Sequence, residues 1–81
     1  MPDPTGIKLQ DIPQNLTDSE IMEALQEKFG AVARVWVPID TGSRIPKNRG
    51  FAIANFKTED TAKRAIQDGE ISINFAAIRI V

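Results

Sequence analysis

The order in which strand-like and helix-like stretches alternate constrains this chain of 81 residues more than any other feature. Ile7–Ile12 alternates apolar and polar residues up to a proline, which predicts a first strand. Thr17–Glu20 has the spacing of a helix-capping box, and apolar residues then recur every four positions before Gly30. A helix is therefore expected soon after the first strand.

The middle of the chain predicts two more strands and a second helix. Val32–Val37 is rich in β-branched residues and ends at a proline, which favours a strand. Asp40–Asn48 contains Thr-Gly-Ser and Ile-Pro, which indicate a loop. Phe51–Phe56 alternates large and small residues and predicts a third strand. Thr58 is a helix N-cap, and the helix that follows it should end at Gly69.

The end of the chain completes a recognisable order of elements. Ile71–Ile73 and Ala77–Val81 supply the last strand, which gives β-α-β-β-α-β, the split pattern of ferredoxin-like folds. The sequence therefore predicts an α+β fold with one four-stranded antiparallel sheet, both helices on one face and the other face open. Residues 7–81 are expected to form this domain, and residues 1–6 a disordered lead-in or an added segment.

Two missing residue types limit the chemistry that is available. The chain has no cysteine and no histidine, so it lacks disulfides, thiolate metal ligands and the commonest general base. We therefore expect no enzymatic activity, no metal site and no cofactor. No apolar run approaches the ~20 residues of a membrane span, and the start of the chain has no signal-peptide pattern. A cytoplasmic or nuclear protein without membrane association is expected, monomeric as an isolated domain.

The charges are segregated along the chain although the net charge is only −1. Acidic residues dominate the first predicted helix, from Thr17 to Phe29, whereas basic residues dominate the segment from Asp40 to Gly50. A negative total by itself argues against a nucleic-acid ligand. The segregation predicts instead two surfaces of opposite sign, of which only one attracts phosphates.

The third predicted strand carries the most specific motif. Arg49-Gly-Phe-Ala-Ile-Ala-Asn-Phe56 resembles RNP1, the signature of RNA-recognition-motif (RRM) domains, which runs basic, Gly, aromatic, small, aromatic, aliphatic, any, aromatic. Ile53 stands at the second aromatic position, and Lys8 stands where the stacking aromatic of RNP2 belongs. The resemblance covers residues 7–81. It implies a module that binds single-stranded RNA across the open sheet face and belongs to a larger protein.

A narrower resemblance comes from the short segment after the second helix. Ala65–Val81 lacks the usual Asn-Gly and Gly-Arg landmarks, and in this it is similar to the RRM of the Ras-GAP SH3-domain-binding proteins. This resemblance implies a stress-granule or deubiquitinase-cofactor setting.

Strand alternation predicts which side chains line the open face. Phe51 and Trp36 are expected to stack on bases. Gln10 and Asn55 have amide groups that can read base edges, and Ile53 lies between the rings. The cations expected to contact phosphates are Lys8, Arg34, Arg49 and Arg79 on the strands, with Arg44 and Lys47 in the loop. A slip of one residue in register would instead bury Trp36.

A different function is compatible with the same residues. The replaced aromatics at Lys8 and Ile53, together with the negative net charge, favour an RRM that has changed its ligand from RNA to protein. In that case the apolar patch around Trp36 would hold a side chain of another protein or of a second copy. The acidic helix face is an alternative docking surface for a basic partner, and otherwise a solvated surface.

Overall fold

The computed structural model of this protein describes residues 4–40, 42, 44 and 47–81. Its strands are β1 (Gly6–Gln10), β2 (Val32–Trp36), β3 (Ile39–Asp40), β4 (Lys47–Asn48), β5 (Phe51–Phe56), β6 (Glu70–Ile73) and β7 (Ala76–Ile80). Its helices are α1 (Asp18–Lys28) and α2 (Glu59–Asp68).

The main sheet confirms the predicted α+β fold and adds one strand to it. Its order is β2-β5-β1-β7-β6, and every neighbouring pair is antiparallel. Four strands were expected, but the segment after α2 folds into the hairpin β6–β7 and so provides two. The two-residue turn Asn74–Phe75, with both φ angles positive, allows the chain to reverse this tightly.

The prediction of a loop over Asp40–Asn48 is wrong at both ends, because Asp40 lies in β3 and Lys47–Asn48 forms β4. β3 pairs with β4 in antiparallel register, with Ile39 opposite Asn48 and Asp40 opposite Lys47. β2 and β5 are already paired, so their extensions lie side by side and the ladder resumes beyond Pro38, which has no N–H to donate. The turn residues that suggested a loop, at 41, 43, 45 and 46, lie outside the described residues.

The core lies between one face of the sheet and the two helices. Leu9 and Phe56 on the strands are fully buried against Ile21 and Leu25 of α1. The small residues Ala52 and Ala54 of β5 and Ala62 and Ala65 of α2 are also fully buried, and they let helix and sheet approach closely. In the part of the chain that the structure describes, both helices lie on this core side, and Trp36 and Ile53 on the opposite face are exposed.

Both helices begin at the predicted N-cap threonines, and α2 ends at the predicted glycine. Thr17 Oγ1 accepts a hydrogen bond from the Glu20 amide at 3.3 Å, and Thr58 Oγ1 accepts one from the Thr61 amide at the same distance. Gly69 ends α2 with a φ of 80°, a left-handed conformation that glycine adopts without strain. The apolar residue Ile66 lies on the solvent side of α2, with 47% of its surface exposed.

Candidate nucleic-acid interface

Three cross-strand rows of side chains form the open face of the sheet, and the first crosses its centre. In this row Trp36 lies opposite Ile53, which in turn lies opposite Lys8. Trp36 is 57% exposed and Ile53 is 37% exposed. The backbone of Lys8 exchanges hydrogen bonds with Val81, which extends the row to the strand beyond. The register that exposes Trp36 is therefore the one that forms.

The second row contains the RNP1 aromatic. Phe51 lies opposite Gln10, Gln10 opposite Arg79, and Arg79 opposite Glu70. The ring of Phe51 is half-buried, and the ammonium of Lys8 lies over it, 5.1 Å from the ring centroid. Lys8 is the diagonal neighbour of Phe51 across the two strands, a separation that a long side chain spans easily. A base that stacks on Phe51 must therefore displace this cation.

In the third row, the polar side chains are hydrogen-bonded to other protein side chains. Arg34 Nε donates to Asn55 Oδ1 at 3.3 Å, and Asn55 Nδ2 donates to Thr5 Oγ1 at 3.3 Å. Only 9% of Asn55 is exposed, although it lies on the open face. Its amide was expected to read a base edge, but it is engaged by protein groups on both sides. Asn55 is thus placed to orient Arg34, whose guanidinium remains exposed.

Two shallow depressions lie between these rows. One, of about 490 Å³, runs between Lys8, Ile53 and Val81, and the other, of about 410 Å³, lies against Trp36. Ile53, Arg34 and Asn55 line both and form the ridge between them. Each depression combines an apolar floor with a cation at its rim, which suits a flat, uncharged ring that is joined to an anionic chain.

The loop that enters β5 is fixed by a buried residue that the sequence reasoning missed. Asn48 Nδ2 donates to the carbonyls of Pro13 and Leu16, and Asn48 Oδ1 accepts from the Gly50 amide at 2.8 Å. These hydrogen bonds fix Asn48 and Gly50, and the exposed Arg49 lies between them in the sequence. We call this set of hydrogen bonds from Asn48 the clamp. Asparagine beside Arg-Gly is typical of exposed turns, so the sequence alone does not indicate that Asn48 is buried and forms the clamp.

The remaining predicted cations are distributed unevenly. Arg49, Lys47 and Arg44 are exposed, and Lys47 lies opposite Asp40 in the β3–β4 ladder rather than in the main sheet. Arg79 is also exposed, but it lies opposite the acidic Glu70. Among the described residues, the ion pairs join Lys28 to Asp68 and Lys63 to Glu59 and leave the cations of the sheet face without a salt bridge.

Within residues 4–40, 42, 44 and 47–81, no group of three or more histidine, cysteine or acidic side chains lies close enough together to hold a metal ion. In the same part of the chain, neither helix has the length and apolar character that crossing a bilayer requires.

Comparison with known proteins decides the family. The family model described as RNA recognition motif matches residues 7–76. The chain belongs to this family. RRM domains are generally RNA-binding modules, and the match includes the RNP1-like octet and β1.

Relatives of this RRM agree with the assignment. The chain is 32% identical over 76 residues to a polyadenylate-binding protein, cytoplasmic and nuclear, of Encephalitozoon cuniculi. That alignment covers 93% of this chain but only 14% of the longer relative. Two structures of the RRM3 domain of Mip6 superpose with TM-scores of 0.74 and 0.76 at 17% and 16% identity, covering 95% and 96% of this chain and 90% of each Mip6 chain. At this identity, these two structures show the fold alone. None of these matches bears on the narrower resemblance to the Ras-GAP SH3-domain-binding proteins, which stays a prediction.

Proposed function

We propose that this RRM binds short single-stranded RNA across its open sheet face, weakly and with strong dependence on salt. One observation carries the proposal: the exposed ring of Trp36, the ring of Phe51 and the exposed cations Lys8 and Arg34 share the open face of the sheet. The exposed Arg49 lies two residues before Phe51. Aromatic rings stack on bases of any sequence, and cations beside them meet the phosphates that connect those bases.

The strength of binding follows from the number of rings. Two stacked bases contribute ~2–6 kcal/mol before ordering costs are subtracted, and a millimolar dissociation constant corresponds to ~4 kcal/mol. The Lys8 ammonium over Phe51 reduces the gain further, because a base must take its place. We therefore propose that useful affinity comes from neighbouring modules of a longer protein, bound to the same RNA strand.

A titration with RNA homopolymers followed by NMR tests this function. Oligomers of A, C, G and U are added at low and at physiological salt, and oligo(A) is of special interest because the relative is named for polyadenylate binding. We expect backbone and side-chain shifts at Trp36, Phe51 and Arg49 that weaken as salt increases. Shifts confined to α1 and α2 would contradict the proposed site.

The relative also supports a location. Its name places it in the cytoplasm and the nucleus, and we propose the same two compartments for this chain, since both contain RNA. Imaging a tagged copy of the full-length protein checks this proposal, and a secreted product would contradict it.

A second candidate function is protein binding on the same face. It is supported by Ile53, which stands at a usual stacking position and gives the centre of the face an aliphatic surface with 37% exposure. Loss of a protein ligand, but not of RNA, on changing Ile53→Ser would favour this function. Loss of RNA binding with the same variant would favour the first.

A further inference from the structure

The turn between β6 and β7 presents a phenyl ring to solvent in an unfavourable backbone conformation. Asn74 and Phe75 have φ values of 51° and 66°, as a two-residue turn of type I′ requires. Asparagine tolerates this region, but a bulky side chain does so rarely, and glycine is the residue usually found at the second position. Phe75 is nevertheless fully exposed.

Two unfavourable properties therefore coincide at one position. An isolated exposed aromatic residue needs no explanation, and a strained turn residue is explained when its side chain packs against the domain. Phe75 is strained, and its full exposure means that it does not pack on its own domain. Strain of this kind points to a role outside the stability of the domain itself.

The surroundings of Phe75 are acidic. The Asn74 side chain donates a hydrogen bond to the carboxylate of Glu20, which fixes that charge beside the turn that carries Phe75. Glu23 and Glu27 follow on the same side of α1 at helical spacing, and both are exposed. These charges repel phosphates, so the environment of the ring disfavours RNA and favours a basic protein surface.

The open sheet face of the same protein has the complementary properties. The depression of about 410 Å³ beside Trp36 and Ile53 has room for a phenyl ring, and the exposed cation Arg34 lines it. Lys8 lies beyond Ile53 in the same cross-strand row. An apolar floor bordered by positive charge matches an apolar ring bordered by negative charge in both shape and sign.

We propose that Phe75 of one copy inserts into the depression beside Trp36 on the sheet face of a second copy, with Glu20 and Glu23 against the basic margin. The inference rests on the same face as the proposed RNA site, so RNA and a second copy compete for it. The contact joins two different surfaces and therefore does not close on itself, which allows association to continue beyond two copies. A contact centred on one ring is weak, so dilute protein remains monomeric.

Sedimentation equilibrium over a range of protein concentrations, at low salt and without RNA, tests this inference. The weight-average molecular mass of the unmodified chain should rise as the protein concentration increases from the high-micromolar to the millimolar range. Phe75→Gly should weaken the association by at least about tenfold. Ile66→Ala is the matched control, since it removes an exposed apolar side chain from α2. It should leave the association unchanged.

A mixture of two variants reveals how the copies are arranged. Phe75→Gly lacks the ring but keeps the depression, whereas Trp36→Ala keeps the ring and loses a wall of the depression. Each variant alone should associate at least about tenfold more weakly than the unmodified chain. Mixed together, they should form pairs and stop at two copies, because only one ring and one depression remain intact.

Four results would overturn the inference. They are a monomeric unmodified chain at millimolar concentration, association that survives Phe75→Gly, a mixture of the two variants that stays monomeric, and loss of RNA binding in Phe75→Gly. The last result would assign the ring to the RNA surface. Failure of the unmodified chain to bind RNA, with normal association, would instead remove only the proposed RNA function.

Discussion

At the scale of single residues, the two aromatic rings of the open face differ in how accessible they are. Trp36 meets solvent directly, whereas Phe51 lies under the ammonium of Lys8. We therefore expect the first base of a bound RNA to gain most from the indole, because stacking there displaces no protein group. The phenyl ring should contribute only after the cation has moved to another partner, for which a phosphate of the same strand is suited.

Replacing Trp36 by alanine should weaken RNA binding by about tenfold, since one stacked base contributes ~1–3 kcal/mol. The domain should remain folded, with a free energy of unfolding within about 1 kcal/mol of the unmodified chain, because more than half of the side chain is exposed. Fluorescence anisotropy with a labelled oligomer and urea unfolding measure the two effects. Ile66→Ala serves as the control, and unchanged affinity in Trp36→Ala would rule out the indole as a stacking platform.

Replacing Lys8 by phenylalanine should strengthen RNA binding by about tenfold. The change places a ring where RNP2 normally has one and uncovers the face of Phe51, so two stacking surfaces become available. Loss of one phosphate contact should reduce the salt slope by about 0.7. Titrations at several salt concentrations measure both quantities, and weaker binding at low salt would mean that the charge of Lys8 matters more than a ring.

At the scale of elements, the β6–β7 hairpin carries strain that a single change can relieve. Phe75→Gly should raise the free energy of unfolding by about 0.5–1 kcal/mol, because a left-handed φ costs a bulky residue ~1–2 kcal/mol and glycine loses part of this gain through backbone entropy. Thermal unfolding measures the change. Phe75→Ala is the matched control, since it removes the ring but keeps a Cβ, and an equal gain in both variants would contradict the strain argument.

The clamp between the β1–α1 connection and the β4–β5 corner depends on Asn48. Asn48→Ala should lower the free energy of unfolding by about 3 kcal/mol, since buried carbonyls and the Gly50 amide lose their partner. Asn15→Ala, an exposed position in the same connection, should change it by less than about 0.5 kcal/mol. Denaturant unfolding of both variants checks this, and equal effects would remove the special role of the clamp.

The sequence predicted elements better than it predicted contacts, for physical reasons. Helix caps at Thr17 and Thr58 are local signals, and strand alternation placed Trp36 on the open face because it depends only on period two. The β6–β7 hairpin was missed because Asn-Phe lacks the glycine that marks its turn type. The roles of Asn48 and Asn55 depend on partners distant in sequence, so no local pattern contains them.

At the scale of the whole molecule, the two sides of the domain have opposite character. α1 carries Glu20, Glu23 and Glu27, whereas the sheet face carries exposed cations, so a net charge of −1 does not prevent RNA from approaching one side. With two to four cations of the face on phosphates, the logarithm of affinity should fall with the logarithm of salt with a slope of about −1.4 to −2.8. A slope near zero in the oligomer titrations would exclude phosphate contacts.

Along β5, residues that pack in the core alternate with residues on the open face of the sheet. Ala52 and Ala54 lie in the tightly packed interior, where an added methyl group forces neighbours apart. Ile53, between them, meets solvent and supports no helix. A replacement of Ile53 should therefore change stability less than one of Ala52 or Ala54. If the open face is the binding surface that we propose, variation at this outer position can alter the ligand while the packed interior stays the same.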